Sequence, residues 1–108
     1  MTAPNSTHEH IVDNLVKRLQ DKHDFVRKEN RFFVGERCAG SMDVGTVDWH
    51  HGKTYIHCYE VKTGNYAQAR HKARQQFHAF IDAYKHRKEV VPTFIFYHPE
   101  HGFERWKP

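Results

Sequence analysis

The sequence predicts an α/β fold in which a small mixed β-sheet is flanked by helices, in the order α-β-β-β-α-β with or without a short last strand. Two segments repeat apolar residues at helical spacing, and the segments between and after them have the apolar alternation or density typical of strands. The chain has 108 residues, the length of one domain, because two hydrophobic cores do not fit it.

The first predicted element is an amphipathic helix. Residues 1–6 are polar and include Pro4, which predicts a loose N-terminal tail. Thr7 is a suitable N-cap for a helix that ends near Lys22. Its apolar residues recur at helical spacing at Ile11, Val12, Leu15, Val16 and Leu19.

Three strands are predicted next. The first is half-exposed because it carries many charged residues, and the second and third should form an antiparallel hairpin. The strands and their connections are residues 25–34, a loop at 35–40, a strand at 41–49, a turn at 50–53 and a strand at 54–62.

A second helix is predicted from Ala67 to about His86, after a break at Gly64 and Asn65. Its apolar residues form one stripe at helical spacing: Ala69, Ala73, Phe77, Phe80, Ile81 and Tyr84. The dense apolar run 90–97 follows it as a strand covered on both faces, and residues 103–106 add a short last strand. Because a long helix connects the third and fourth strands, we expect these two strands to be parallel with a right-handed crossover.

The charge balance is mildly basic. Seventeen Lys and Arg residues against 13 Asp and Glu residues give a net charge of +4 at pH 7. This excess suits a protein that contacts phosphate and also keeps carboxylates for chemistry. No apolar run approaches the roughly 20 residues of a membrane-spanning helix, and no leader signals export. We therefore expect a cytoplasmic protein without a membrane partner.

Histidine is abundant, with dense segments such as His8-Glu9-His10. No HExxH motif is present, and the two cysteines are too few for a cysteine-rich zinc finger. We therefore expect the histidines to be ordinary surface residues.

The residues that indicate chemistry are Asp43 and the segment Glu60-Val61-Lys62. Strand alternation places Glu60 and Lys62 on one face, and antiparallel pairing brings Asp43 beside them. Two neighbouring carboxylates repel unless a cation lies between them, and Mg²⁺ accepts carboxylates and phosphate oxygens together. A nearby lysine can orient water or stabilise charge on a phosphorus oxygen.

This pattern resembles the signature of the PD-(D/E)xK nuclease superfamily. The resemblance is greatest to archaeal-type Holliday junction resolvases and to small viral or phage nucleases. It implies a restriction-endonuclease-like core, a single nuclease domain over residues 1–108, and hydrolysis of DNA phosphodiester bonds with Mg²⁺ or Mn²⁺. It also implies a homodimer on branched or junction DNA, since a junction presents two sites to cut.

By the same resemblance, Asp43 and Glu60 are the metal ligands together with the Val61 carbonyl, and Lys62 is the catalytic lysine. The first-helix acid resembles Glu9, with Asp13 as its rival. Asp48 is an alternative to Asp43, since the gap from Asp43 to Glu60 is longer than in the short resolvase hairpins. A helical glutamine of the family corresponds to Gln76.

Two sets of basic residues are candidates for DNA contact, although each also suits a solvated surface. They are Arg70, Lys72 and Arg74 on the second helix, and Arg27, Lys28 and Arg31 on the first strand. Trp49 at the predicted hairpin tip is a candidate for a dimer contact or for wedging into DNA. Two alternative functions stay open: a nuclease of single-stranded, flap or nicked DNA in viral or phage DNA processing, and a non-catalytic DNA-binding module.

Overall fold

The computed structural model describes residues 4–108, with the side chains of residues 7–108. It has a mixed α/β fold of two helices and a five-stranded sheet. The elements are α1 Pro4–Leu19, β1 Phe25–Val34, β2 Arg37–His50, β3 Lys53–Val61, α2 Tyr66–Tyr84, β4 Val90–His98 and β5 Gly102–Trp106. This order confirms the predicted succession, including the short last strand.

The sheet has the strand order β1-β2-β3-β4-β5, so β3 is its central strand. β3 and β4 are parallel and every other neighbouring pair is antiparallel. The parallel pair requires the long connection that α2 supplies. The hairpin of β2 and β3 and the crossover are therefore confirmed.

α1 begins earlier than predicted. The helix starts at Pro4, so the assignment of Thr7 as its N-cap is wrong, and it ends at Leu19 rather than Lys22. Proline suits a first helical position because its missing N–H would have no intrahelical partner there. Of the predicted loose tail, residues 4–6 are helical, and residues 1–3 lie outside the described part of the chain.

Residues 37–40 are strand rather than loop. β2 starts at Arg37 and pairs with the end of β1 through a register shift between Phe32 and Phe33. Gly40 lies against the buried ring of Phe32, and a Cβ built on Gly40 would come within 2.6 Å of that ring. The glycine therefore permits a close packing contact, where the sequence indicated a turn.

The two faces of the sheet carry the two apolar layers of this single domain, and the layers differ in composition. α2 covers an aromatic cluster that includes Phe77, Phe80, Phe94, Phe96 and Trp106. α1 covers an aliphatic cluster that includes Val12, Leu15, Val44, Val61 and Ile95. Because neighbouring residues of a strand point to opposite faces, these clusters place the two helices on opposite sides of the sheet.

Neither helix in residues 4–108 combines the length and the apolar character needed to cross a membrane.

Candidate active site

The candidate site lies where the ladder between β2 and β3 stops. The last regular pair is Val44 with Tyr59. Beyond it, side chains bridge the two strands: the Val61 N–H donates to Asp43 Oδ2 at 2.8 Å, and the Asp43 N–H donates to Glu60 Oε1 at 3.2 Å. Both carboxylates are thus fixed at one end of the central strand.

The regular alternation of side chains along β2 is interrupted at Asp43. Met42 belongs to the core under α2, whereas Val44, two residues later, belongs to the core under α1. On the facing strand, Glu29 has φ 55°, and the ladder passes from the pair Lys28–Val44 to the pair Asn30–Met42. A left-handed backbone costs a non-glycine residue about 1–2 kcal/mol. This irregularity directs Asp43 toward the strand end, where it meets Val61 and Glu60.

Glu60 is nearly buried, with 5% of its surface exposed. Its Oε2 accepts a hydrogen bond from Gln76 Nε2 at 2.5 Å and lies 3.2 Å from Lys62 Nζ. Burial, followed by the nearby Asp43 carboxylate, raises the pKa of Glu60 to about 7, while Lys62 and Gln76 oppose the rise. We call Asp43, Glu60, Lys62 and Gln76 the carboxylate network.

The carboxylate network joins three elements. Glu60 lies near the end of β3, and Lys62, which follows β3 directly, contacts it on the same side, as the predicted alternation required. α2 brings Gln76 over that side. Asn65 starts α2 by accepting a hydrogen bond from the Gln68 N–H at 3.1 Å. Gln76 Oε1 is buried and has no hydrogen-bond partner among the described residues. It is therefore an unsatisfied acceptor on the side chain that donates to Glu60.

His8 is the site residue that sequence reasoning missed. Its Nε2 lies 3.2 Å from Asp43 Oδ2 and 2.9 Å from the Val61 carbonyl oxygen. The available signal was helical spacing, because His8 precedes the buried Val12 and Leu15 by four and seven residues. The expectation that His8 is an ordinary surface residue is therefore wrong.

Glu9 lies beside the site without entering the carboxylate network. Its side chain is exposed and borders a small cleft of about 50 Å³ with His8, Glu29 and Asp43. Asp13, its rival, is engaged elsewhere in an ion pair with Lys28 at 2.8 Å.

Asp48 also lies away from the carboxylate network. One oxygen of its carboxylate lies 2.6 Å from His23 Nδ1, and the other accepts a hydrogen bond from the Asp24 N–H at 2.8 Å. These contacts tie the turn after α1 to β2. Asp43, and not Asp48, is therefore the β2 carboxylate that meets Glu60.

The basic residues predicted to contact DNA differ in whether another side chain of the protein already binds them. Arg70 pairs with Glu104, and Arg74 lies 4.4 Å from the centre of the Trp106 ring, so both pack against β5. Lys28 is held by Asp13. The remaining candidates for DNA contact have exposed side chains and are Lys72, Arg27 and Arg31.

The fit of the site to a metal ion can be tested from its oxygens. In the described part of the chain, no group of three or more His, Cys, Asp or Glu side chains is arranged to hold a metal ion. Asp43 Oδ2 and the Val61 carbonyl nevertheless converge, since one nitrogen of His8 contacts both. Carboxylate and carbonyl oxygens are the ligands that Mg²⁺ and Mn²⁺ prefer. The donor set therefore fits a hard divalent cation that has His8 Nε2 as a neighbouring ligand.

Fold and site together define a mixed α/β domain with a buried carboxylate, lysine and glutamine network at the end of its central strand. No family model matches the chain, and neither a curated protein nor a solved structure matches it. The assignment of function therefore rests on the geometry of the site.

Proposed function

We propose that the protein is a metal-dependent DNA endonuclease with a restriction-endonuclease-like core and Mg²⁺ or Mn²⁺ as cofactor. The observation that carries the proposal is the carboxylate network, in which the buried Glu60 contacts Asp43, Lys62 and Gln76 at one strand end. A carboxylate on an exposed strand face would be solvated and would not collect three such partners.

Asp43, Glu60 and the Val61 carbonyl would hold the metal ion, with His8 Nε2 beside them. When bound, such an ion lowers the pKa of water and neutralises charge on phosphate oxygens. Asp43 is held in place for this role by the Val61 N–H, and Glu60 by Gln76. Fixed donors of this kind need little reorganisation during the reaction.

Lys62 has the position expected of the residue that orients water or stabilises charge on the phosphorane. Its Nζ contacts Glu60 Oε2, and its side chain remains about one quarter exposed, so it can reach a substrate from solvent. Gln76 Oε1 supplies an additional acceptor next to Glu60. Together these groups suit the in-line attack of water on phosphorus.

Within this class we propose a Holliday junction resolvase that acts as a homodimer on branched DNA in the cytoplasm. Trp49, which is 60% exposed near the hairpin tip, is available for a dimer contact or for wedging into DNA. A nuclease of single-stranded, flap or nicked DNA uses the same chemistry and is the first alternative. A non-catalytic DNA-binding module is the second, and it has no use for a network of this kind.

The test is cleavage of labelled four-way junction, flap, duplex and single-stranded DNA with Mg²⁺ or Mn²⁺. Wild-type protein is compared with Glu60→Gln. Glu89→Gln serves as control because Glu89 is exposed and, among the described residues, its ion-pair partner is Arg87. We expect at least a hundredfold loss of cleavage for Glu60→Gln, on the scale of removing one preorganised charged group from an active site. Glu89→Gln should cut like wild type.

The substrate pattern separates the alternatives. Paired symmetric nicks in the junction, with sedimentation of a dimer on that DNA, support a resolvase. Cleavage of flap or single strand supports the first alternative. Wild-type rates for Glu60→Gln, or no cleavage of any substrate by the wild type, contradict the nuclease proposal.

A further inference from the structure

A groove runs along α1 on the side of the sheet opposite α2. α1 packs mainly across β1, β2 and β3, which leaves part of β4 and β5 open beside it. The groove has a main cavity of about 360 Å³ and an adjoining one of about 220 Å³. Its floor is apolar and includes Leu15, Tyr59, Ile95 and Phe103. We call it the α1 groove.

The rim of the α1 groove is basic. Arg18, Lys22 and Arg105 line it, and among the residues that the structure describes no Asp or Glu lines either cavity. None of the three cations has an ion-pair partner in the part of the chain that the structure describes. Three unpaired cations around an apolar floor favour a ligand that is anionic and also carries apolar surface.

The floor offers aromatic faces to such a ligand. The pairing of β4 with β5 sets Phe103 opposite Tyr97, with ring centres 4.6 Å apart, and Phe103 is 51% exposed. Exposed aromatic rings next to cations are the features by which proteins bind single-stranded nucleic acid: bases stack on the rings while phosphates contact the cations.

One end of the α1 groove adjoins the candidate active site. Tyr97 pairs with Val61, and its carbonyl accepts the Lys62 N–H at 3.0 Å. Ile11, which lines the adjoining cavity, is one helical turn from His8. From Ile11 to the end of α1 the groove extends about 12 Å, the length of roughly three stacked nucleotides.

We propose that the α1 groove binds an unpaired strand of nucleic acid that leads away from the cleaved phosphodiester. This inference rests on the proposed nuclease function. Among the proposed substrates it favours the first alternative, flap or single-stranded DNA, over a fully paired junction, because the substrate would carry an unpaired segment next to the cut. A second copy of the chain is disfavoured as the occupant, because a symmetric interface through this groove would bring like charges together: Arg18, Lys22 and Arg105.

The test is fluorescence anisotropy of a labelled twelve-residue oligothymidylate without metal, so that no cleavage occurs. All variants carry Glu60→Gln. Phe103→Leu keeps apolar bulk but removes the ring. Phe25→Leu is its control, because Phe25 is also exposed, at 43%, and does not line the α1 groove. Arg105→Ala is matched by Arg87→Ala, since Arg87 lies in the turn after α2.

We expect Phe103→Leu to weaken oligonucleotide binding about tenfold, with Arg105→Ala also weaker and with a reduced salt dependence. Both controls should bind like the parent protein, and thermal melting should show all variants folded. Equal affinity of the groove variants and their controls would overturn the proposal. Polyglutamate tests for binding by charge alone, and its displacing the oligonucleotide equally well from the Phe103→Leu variant and from its parent would overturn the proposal. The proposal would also be overturned if Phe103→Leu changed only the sedimentation behaviour.

The outcome is independent of the nuclease test. Loss of oligonucleotide binding in the groove variants shows a single-strand site even if wild-type protein cleaves nothing. In that case the nuclease proposal fails, and with it the link between the groove and a cut. Conversely, metal-dependent cleavage with unchanged oligonucleotide binding in the groove variants would leave the nuclease proposal intact and overturn the proposal that the α1 groove binds a single strand.

Discussion

At the scale of single residues, Glu60 is the most informative group. A buried carboxylate needs hydrogen-bond or ion-pair partners. Glu60 accepts hydrogen bonds from Gln76 and from the Asp43 N–H and forms an ion pair with Lys62. Asp43 is a second acid close by, which makes full ionisation of the pair unfavourable without a cation. The arrangement therefore stores an electrostatic cost that a bound cation would relieve.

The stability of the metal-free protein should show this cost. The pKa of Glu60 is raised from 4.5 to about 7 in the folded state. Between these values the folded protein holds more protons than the unfolded chain, so its stability falls as the pH rises. The full penalty above pH 7 is about 3 kcal/mol, and Glu60→Gln, which has no such titration, avoids it.

The measurement is urea unfolding of wild type and Glu60→Gln in EDTA from pH 4.5 to 8. We expect the free energy of unfolding of Glu60→Gln, relative to that of wild type, to increase by about 3 kcal/mol as the pH rises across this range. Glu89→Gln is the control for an exposed carboxylate. A constant difference between wild type and Glu60→Gln would contradict the raised pKa.

His8 gives a second prediction at this scale. Its Nε2 contacts Asp43 Oδ2 and the Val61 carbonyl, the two oxygens that converge on the proposed metal position. Removing a ligand or its supporting partner typically costs 10–100-fold in metal affinity. We expect such a loss of Mn²⁺ affinity for His8→Ala in titration calorimetry, with the exposed His10→Ala as control. Wild-type affinity in His8→Ala would exclude His8 from the site.

At the scale of elements, the irregular part of β1 and β2 places Asp43. Glu29 adopts a left-handed backbone in the middle of β1, opposite the point where the alternation of side chains along β2 is interrupted. Such irregularities often lie next to active sites, where they redirect a side chain. The neighbouring Gly40 also serves β2, because only hydrogen fits under the Phe32 ring.

Replacing Glu29 tests this strain. Glycine adopts positive φ freely, so Glu29→Gly should unfold at the same or a higher urea concentration than wild type, with a gain of up to about 1 kcal/mol. Glu29→Val, with a β-branched side chain, should lose about 1–2 kcal/mol. The opposite order of the two variants would show that Glu29 is not strained.

At the scale of the whole molecule, the sheet separates two different environments. The face under α2 is aromatic and closed, and the face under α1 is aliphatic and opens into the basic α1 groove. The carboxylate network lies where both layers meet, at the end of β3, so His8 of α1 and Gln76 of α2 approach it from opposite sides. A strand in the proposed groove would therefore lead toward the network without crossing the core.

Much of this architecture follows from local pattern. The apolar spacing of α2 predicted its buried residues Ala69, Ala73, Phe77 and Phe80, and alternation along β3 predicted that Glu60 and Lys62 share a face. The start of α1 and the residues 37–40 were not predicted, since Pro4 and Gly40 read as breaks when the packing partner is unknown.

The sequence by itself determined the order of the elements, the parallel pairing of β3 with β4 and the candidate set Asp43, Glu60, Lys62 and Gln76. The order, the pairing and the set Asp43, Glu60 and Lys62 depend on periodicity and spacing along the chain, which are local properties. Gln76 was chosen by the resemblance to the PD-(D/E)xK superfamily. Only the tertiary structure decided that His8, rather than Glu9, contacts Asp43, and that Arg70 and Arg74 pack against β5. Those choices depend on the rotation of each helix against the sheet, which is set by contacts between residues far apart in sequence.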